Sequence, residues 1–226
     1  MFGIPAVPGS ILVAALLASS PAWGGEKPFW VIPAAPIDES LLLQDDTWVR
    51  SLSGLEIRVQ FLNPRSREKF LKERVPELID PFIPNSMFPK GYFLFRLDLN
   101  NHSAEPVTFH PGNVVVVTKR NLHELALEYS DFYRRLVWKG QSPEKFLRQW
   151  VKVYYDGSHT LKPGESTSKL IAFNLPYGRW KKLQLFISSL QVASETHNFR
   201  FPFTRTKLDP SQPPNTRKGA RLGDTP

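Results

Sequence analysis

The clearest alternation in the chain runs from Leu55 to Phe61, where Leu55, Ile57, Val59 and Phe61 are apolar and Glu56, Arg58 and Gln60 are polar. A period of two is that of a strand with one buried face. It recurs from Tyr92 to Asn100, with Phe93, Phe95, Leu97 and Leu99 on one face and Arg96, Asp98 and Asn100 on the other. Asn101 to Pro106 then supplies turn-forming residues. Val107 to Phe109 and Val114 to Thr118 follow, interrupted by His110-Pro111-Gly112-Asn113. Four consecutive valines have no polar face and suit a strand covered on both sides. The two runs on either side of the Asn101–Pro106 turn are expected to pair as the middle of a β-sheet domain. Leu170 to Phe173, Lys182 to Ile187 and Asn198 to Thr204 complete six predicted strands. Pro202 has no N–H to donate, which predicts that the last strand lies at a sheet edge or pairs on one side only.

Elsewhere the period is helical. Ser66 is the predicted cap of a helix over Arg67 to Val75. Asn121 with Glu124 three residues on reads as another helix start. From there Leu122, Leu125, Ala126, Tyr129, Phe132, Tyr133 and Leu136 form one apolar stripe. Pro143 sits where a first helical residue needs no N–H, and Phe146, Leu147, Trp150, Val151 and Tyr154 continue to the stop at Asp156-Gly157. The segment 120–156 is therefore predicted as a helical hairpin inserted into a β-domain. Pro76, Pro81, Pro84 and Pro89 allow little regular structure, so this long connection is a candidate functional loop. The expected organisation is an export signal at 1–24, an extended Pro-rich lead-in at 25–50, a mainly β antiparallel two-sheet sandwich at 51–206, and a disordered tail at 207–226. Ile57, Phe95, Leu97, Val115, Val117, Phe173, Leu185 and Phe201 are the predicted core.

The export signal rests on the apolar run Ile11 to Ala18 and on small residues at Ala22 and Gly24, which place the mature start at Trp23 or Gly25. No Lys or Arg precedes the run, and it is shorter than the roughly 20 residues of a membrane-spanning helix. The expected location is extracytoplasmic, periplasmic or secreted. The chain has no Cys, which excludes disulfides, thiol catalysis and cysteine metal sites. Its 29 basic and 21 acidic side chains leave a net charge of +8, which favours anionic partners. For an exported protein those are an envelope protein, an anionic glycan or a lipid surface touched peripherally, and not nucleic acid.

Sequence motifs of serine hydrolases, phosphate-binding loops, dinucleotide-binding folds and H-E-x-x-H metalloenzymes are absent, and no cofactor is implied. His102 and His110 flank the central turn and would approach each other in a hairpin. A metal there needs a third ligand, with Glu105 and His197 as candidates, whereas polar turn residues bonding local backbone are the simpler reading. Glu124, Glu128 and Asp131 share a predicted helix, but the arginines after them suit solvated ion pairs better than acid–base chemistry. Tyr129, Phe132, Tyr133, Trp138, Trp150, Tyr154 and Tyr155 suit a core stripe, and alternatively a sugar-stacking surface. The basic surplus on the predicted hairpin is the candidate binding surface, represented by Arg134, Arg135, Arg148 and Lys152.

Asn100-Asn101-His102-Ser103-Ala104-Glu105-Pro106-Val107, followed by Leu161-Lys-Pro-Gly-Glu-Ser-Thr-Ser-Lys-Leu-Ile-Ala-Phe173, resembles the immunoglobulin-like domains of exported bacterial proteins. The resemblance covers Leu55 to Thr204 without the helical segment. It implies an immunoglobulin-like sandwich acting as a non-enzymatic interaction or accessory module of the cell envelope. The alternative is a protein or enzyme that uses the aromatic and basic face of the helices on a polyanionic glycan.

Overall fold

The computed structural model describes residues 29–78, 80, 82, 92–119, 122–138, 143–174 and 180–207. The predicted export signal lies outside the described residues, as do the chain after 207 and most of the proline-rich connection. The elements are β1 (Phe29–Pro33), β2 (Leu41–Gln44), β3 (Thr47–Leu52), β4 (Leu55–Phe61), α1 (Pro64–Arg74), β5 (Tyr92–Asn101), β6 (Val107–Phe109), β7 (Val114–Thr118) and β8 (His123–Leu125). They continue with α2 (Tyr129–Trp138), α3 (Pro143–Trp150), β9 (His159–Leu161), β10 (Ser166–Asn174), β11 (Lys182–Val192) and β12 (Glu195–Lys207). The strands form two antiparallel sheets packed face to face, the expected sandwich. One has the order β10-β5-β4-β3-β2; the other runs β1-β12-β11, and β11 then pairs with β7 along one half and β6 along the other.

Residues at every second position supply the core between the sheets. Ile57, Val59, Phe93, Phe95, Leu97, Leu99, Ile171 and Phe173 face it from one side, and Leu183, Leu185, Ile187, Phe199, Phe201 and Phe203 from the other. Phe95 touches Phe61, Phe173 and Phe203 with ring centroids 5.5, 5.9 and 5.1 Å apart. Trp48 crosses the layer, and its indole Nε1 donates to Pro202 O at 2.7 Å.

A second core lies on the outer face of the five-stranded sheet. Tyr92 and Leu94 of β5 and Leu170 and Ala172 of β10 are buried there against Phe70 and Leu71 of α1, Phe132 of α2, and Leu147 and Trp150 of α3. Both faces of β5 and β10 are thus apolar over this stretch. The helices are a third layer over the sandwich, with Phe132, Leu147 and Trp150 buried in that packing and Tyr133 of the predicted stripe left exposed.

Several expectations are corrected. The runs on either side of Asn101–Pro106 do not pair: β5 pairs with β4 and β10, while β6 and β7 lie in the other sheet along β11. The segment 25–50, expected as an extended lead-in that docks aromatics or forms an edge strand, contributes from Phe29 on two edge strands, β1 and β2, and most of a third, β3. β12 is flanked by β1 and β11, so it is not an edge. Pro202 is tolerated because its missing donor faces Ala34, just past the end of β1 at Pro33, where the remaining bond uses only the Pro202 carbonyl, which accepts from Ala34 N at 3.1 Å. α1 begins at Pro64, capped by Asn63, whose Oδ1 accepts from Arg65 N and Ser66 N at 3.0 Å each. Pro64 fits the first helical position for the reason that Pro143 fits its own. Residues 123–125, expected as helix, form a strand on β7, and α2 starts only at Tyr129. There Asp131 Oδ2 reaches back to Glu128 N at 2.9 Å, satisfying a donor left free at a helix start. α3 ends at Trp150, short of Tyr154.

The valine run shows the most instructive shift. Val114 and Val116 are buried between the sheets, whereas Val115 and Val117 face outward and are half-buried. The 3₁₀ turn Pro111–Asn113 sets this phase, and four identical side chains carry no mark of it. Val116→Ala is therefore expected to cost about 2 kcal/mol and Val115→Ala less than half of that. Equal losses in urea titrations of the two variants would show that the phase is wrong.

Candidate functional site

The helical layer divides its side chains sharply. Inside, Trp150 stacks on Tyr154 with centroids 4.6 Å apart and lies 5.1 Å from Phe82, 5.2 Å from Phe132 and 5.8 Å from Phe146. Tyr154 is fully buried, accepts from Ala172 N at 3.1 Å and donates to Leu127 O at 2.7 Å. Tyr155 turns the other way into the inter-sheet core, and its hydroxyl donates to Leu97 O at 3.1 Å. Burial pushes both phenols well above the ordinary tyrosine range. These rings are core, and they are closed to a sugar.

Outside lie the basic residues. Between Tyr129 and Lys152 the sequence has six basic and two acidic residues, a net of +4 against +8 for the whole chain. Arg134 on α2 is exposed, donating through Nη2 to Asp131 Oδ1 at 2.9 Å and through Nε to Ser130 O at 3.3 Å. Arg148 on α3 and Lys152 just after it are exposed. The side chain of Arg135 lies outside the described residues. Three of the four candidate residues are thus placed on the solvent side of the layer. Beside them Tyr133 (43% exposed) and Val137 (47%) lie one helical turn apart, and Tyr133 stacks on half-buried Tyr129 at 6.2 Å. Arg and Tyr beside a small apolar patch are the residue types enriched at protein interfaces.

The histidine pair is not brought together as a site. With β5 and β6 in different sheets, the hairpin that would have joined His102 and His110 does not exist. His102 is exposed and its backbone N donates to Gly54 O at 2.7 Å. His110 Nδ1 accepts from Gly112 N at 3.0 Å, capping the 3₁₀ turn. His197 lies on β12 beside Glu195, 3.4 Å away, and Glu105 is exposed in the crossover. Among the described residues no group of three His, Asp or Glu side chains is arranged to hold a metal. Glu124, expected on a helix with Glu128 and Asp131, lies on β8 instead.

Two polar arrangements escaped the sequence. Arg67 of α1 and Asp80 form a buried ion pair at 2.6 Å, and Asp80 Oδ1 also accepts from Phe82 N at 2.9 Å. This clamp fastens the start of the proline-rich connection to α1. An arginine inside a charged helix and an aspartate among prolines give no hint of partnership. At the seam between β9 and β10, Lys169 Nζ donates to Val151 O at 2.9 Å and half-buried His159 lies edge-on to Tyr155 at 5.0 Å. Burial lowers the pKa of both; for His159 Lys169 adds to the effect, and Asp156 opposes it for each. An open groove of about 370 Å³ runs past His159, Thr160, Leu161, Glu165, Ser166 and Thr167.

No protein-family model matches the chain, and no curated protein matches it. Among solved structures it is similar to the yjhA protein from Bacillus subtilis, at 8% identity over 62% of this chain and 76% of that one, with a TM-score of 0.33. It is also similar to a functionally unknown protein from Listeria monocytogenes EGD-e, at 14% identity over 80% and 89% of the two chains, with a TM-score of 0.36. Likenesses at this level assign the chain neither a family nor an activity.

Proposed function

We propose that this protein is an exported, non-enzymatic interaction module of the bacterial cell envelope, an immunoglobulin-like sandwich whose basic helical layer contacts an anionic partner. The observation that carries the reading is the division within that layer. Phe132, Leu147 and Trp150 are buried, so the stability of the helices comes from their inner face, and Arg134, Arg148 and Lys152 are left exposed. Exposed charges contribute little to folding, yet a surplus of one sign raises association rates with oppositely charged partners. The immunoglobulin-like reading is supported by the meeting of its two motif stretches: Asn101 of the first bonds Leu161 O of the second at 3.1 Å. The glycan alternative is less favoured, because Trp150, Tyr154 and Tyr155 are buried, and of the stripe's described side chains Tyr133, with part of Tyr129, remains for stacking; the side chain of Trp138 lies outside the described residues.

Charge removal at Arg134, Arg135, Arg148 and Lys152, each replaced by Gln, tests the reading. Binding to anionic phospholipid vesicles and to an anionic glycan column should fall about tenfold or more, while the melting temperature barely moves. Wild-type binding should weaken between low salt and 0.15 M, where the Debye length is about 8 Å. A quadruple variant that binds both surfaces as well as the wild type would reduce this face to solubilising charge.

A further inference from the structure

An edge strand carries backbone N–H and C=O groups without partners in its own sheet, and proteins normally protect such edges. In the five-stranded sheet the edge at β10 is closed by the chain itself. Tyr155 N donates to Leu170 O at 3.1 Å, Leu170 N to Val153 O at 2.8 Å, Leu127 N to Ala172 O at 2.8 Å, and Ala172 N to the Tyr154 hydroxyl at 3.1 Å. The opposite edge, β2, is treated differently. Its sequence is Leu41-Leu-Leu-Gln44, with no charge and no proline, and Leu42 and Leu43 are 56% and 52% exposed on opposite faces. Among the described residues, none of the usual protections apart from shortness is present at this edge.

Ladder geometry identifies the open backbone groups. The two-residue turn Asp45–Asp46 makes Gln44 and Thr47 its closing hydrogen-bonded pair, and alternation makes Leu42 and Val49 the next. Leu41 and Leu43 therefore turn their backbone groups away from β3. Leu41 N donates to Asp38 O at 3.3 Å. The N–H and C=O of Leu43 and the C=O of Leu41 face outward.

Charge then selects the occupant. Asp38 and Glu39 precede β2 and Asp45 and Asp46 follow it; Arg50, paired with Asp38 at 3.4 Å, is the one basic residue from 38 to 50. This hairpin is acidic in a chain of net charge +8. A second copy pairing antiparallel through β2 would bring like charges together at both ends. Four residues would also bury far less than the roughly 1,200 Å² of a stable dimer. A strand flanked by Lys or Arg meets the opposite condition.

We propose that β2 is a strand-addition site, at which an extended segment of a partner protein, apolar at alternate positions and flanked by Lys or Arg, adds a sixth strand to this sheet. The site does not depend on the basic helical face, which lies over β5 and β10 at the other side of the same sheet. The probe is a synthetic peptide, Lys-Lys-Val-Thr-Val-Thr-Val-Lys-Lys, added to the isotope-labelled full chain at low salt. Hydrogen exchange at the Leu43 amide should slow about tenfold at saturation, and a peptide with Glu for each Lys should bind at least about tenfold more weakly. Leu43→Pro removes a donor that the fold does not use. It should keep the melting temperature and lose peptide binding, while Leu43→Thr keeps both. Unchanged exchange at Leu43 under saturating peptide overturns the proposal, and so does binding by Leu43→Pro equal to the wild type. Absence of binding up to millimolar peptide overturns it as well. Self-association of the protein that Leu43→Pro abolishes would make a second copy the occupant and equally reject it. Should Leu43→Pro fail to fold, Leu43 exchange in the wild-type protein decides the matter.

Discussion

Replacing Trp150 by Ala is expected to destabilise the whole protein by about 3–5 kcal/mol, the usual cost of deleting a large buried aromatic. Trp150 is fully buried among Phe82, Phe132, Phe146 and Tyr154, and its removal leaves a hole bordered by residues of α2, α3 and the segments around them. Its indole N–H has no hydrogen-bond partner among the described residues, so the loss reflects packing. Trp150→Phe, which keeps most of the ring contacts, should cost less than half as much. Urea titration followed by far-UV circular dichroism reads both values. If Trp150→Ala loses under about 1 kcal/mol, within the range of ordinary surface changes, the helical layer is an appendage.

Asn101→Ala is expected to cost about 3–5 kcal/mol by a different route, since each buried group deprived of its partner costs roughly 1–3 kcal/mol. Asn101 is buried, and all four of its side-chain bonds are made. Nδ2 donates to Glu105 O at 2.8 Å and Leu161 O at 3.1 Å, while Oδ1 accepts from Ser103 N at 3.0 Å and from the Ser103 hydroxyl at 2.6 Å. The residue thus ties the crossover from β5 to β6 to the end of β9. Its own backbone fastens the following turn, through Asn101 N to Glu165 O at 2.9 Å and Gly164 N to Asn101 O at 2.8 Å. Alanine keeps those backbone bonds but takes the amide donor from Leu161 O and the acceptor from Ser103 N, while Glu105 O retains the Ser103 hydroxyl at 2.8 Å. The same titration checks the value, and a loss near zero would mean that water replaces the amide without penalty.

How much of this was legible in the sequence depended on whether a pattern had contrast. Leu55 to Phe61 alternates cleanly and is a strand in the stated register. The valines have no contrast, so their phase came from a turn whose geometry no single residue announces. β2 and β3 were missed because Leu42 and Leu43 are exposed and Trp48 and Val49 are both buried, which breaks the period of two. Residues 122–125 misled in the opposite direction. Leu122 and Leu125 fit the helical stripe, yet both are exposed and the backbone there pairs with β7. The basic residues were readable because long charged side chains seldom leave the surface. The inward aromatics were readable as core, although the face of the sheet that receives them was not. Arg67 and Asp80 meet only through the path of the chain between them, which local periodicity does not encode.

Packing of the second core makes the helices one cooperative unit with the sandwich, their inner face structural and their outer face free for contact. Native-state hydrogen exchange tests it most directly. Helices of ten and eight residues are marginal on their own in water. If the second core holds them, the slowest amides of α2 and α3 should open at the same free energy as those of β5 and β10, within about 1 kcal/mol. Helical amides that open several kcal/mol below strands that stay protected would contradict the claim, because the layer would then unfold without the sheet it covers.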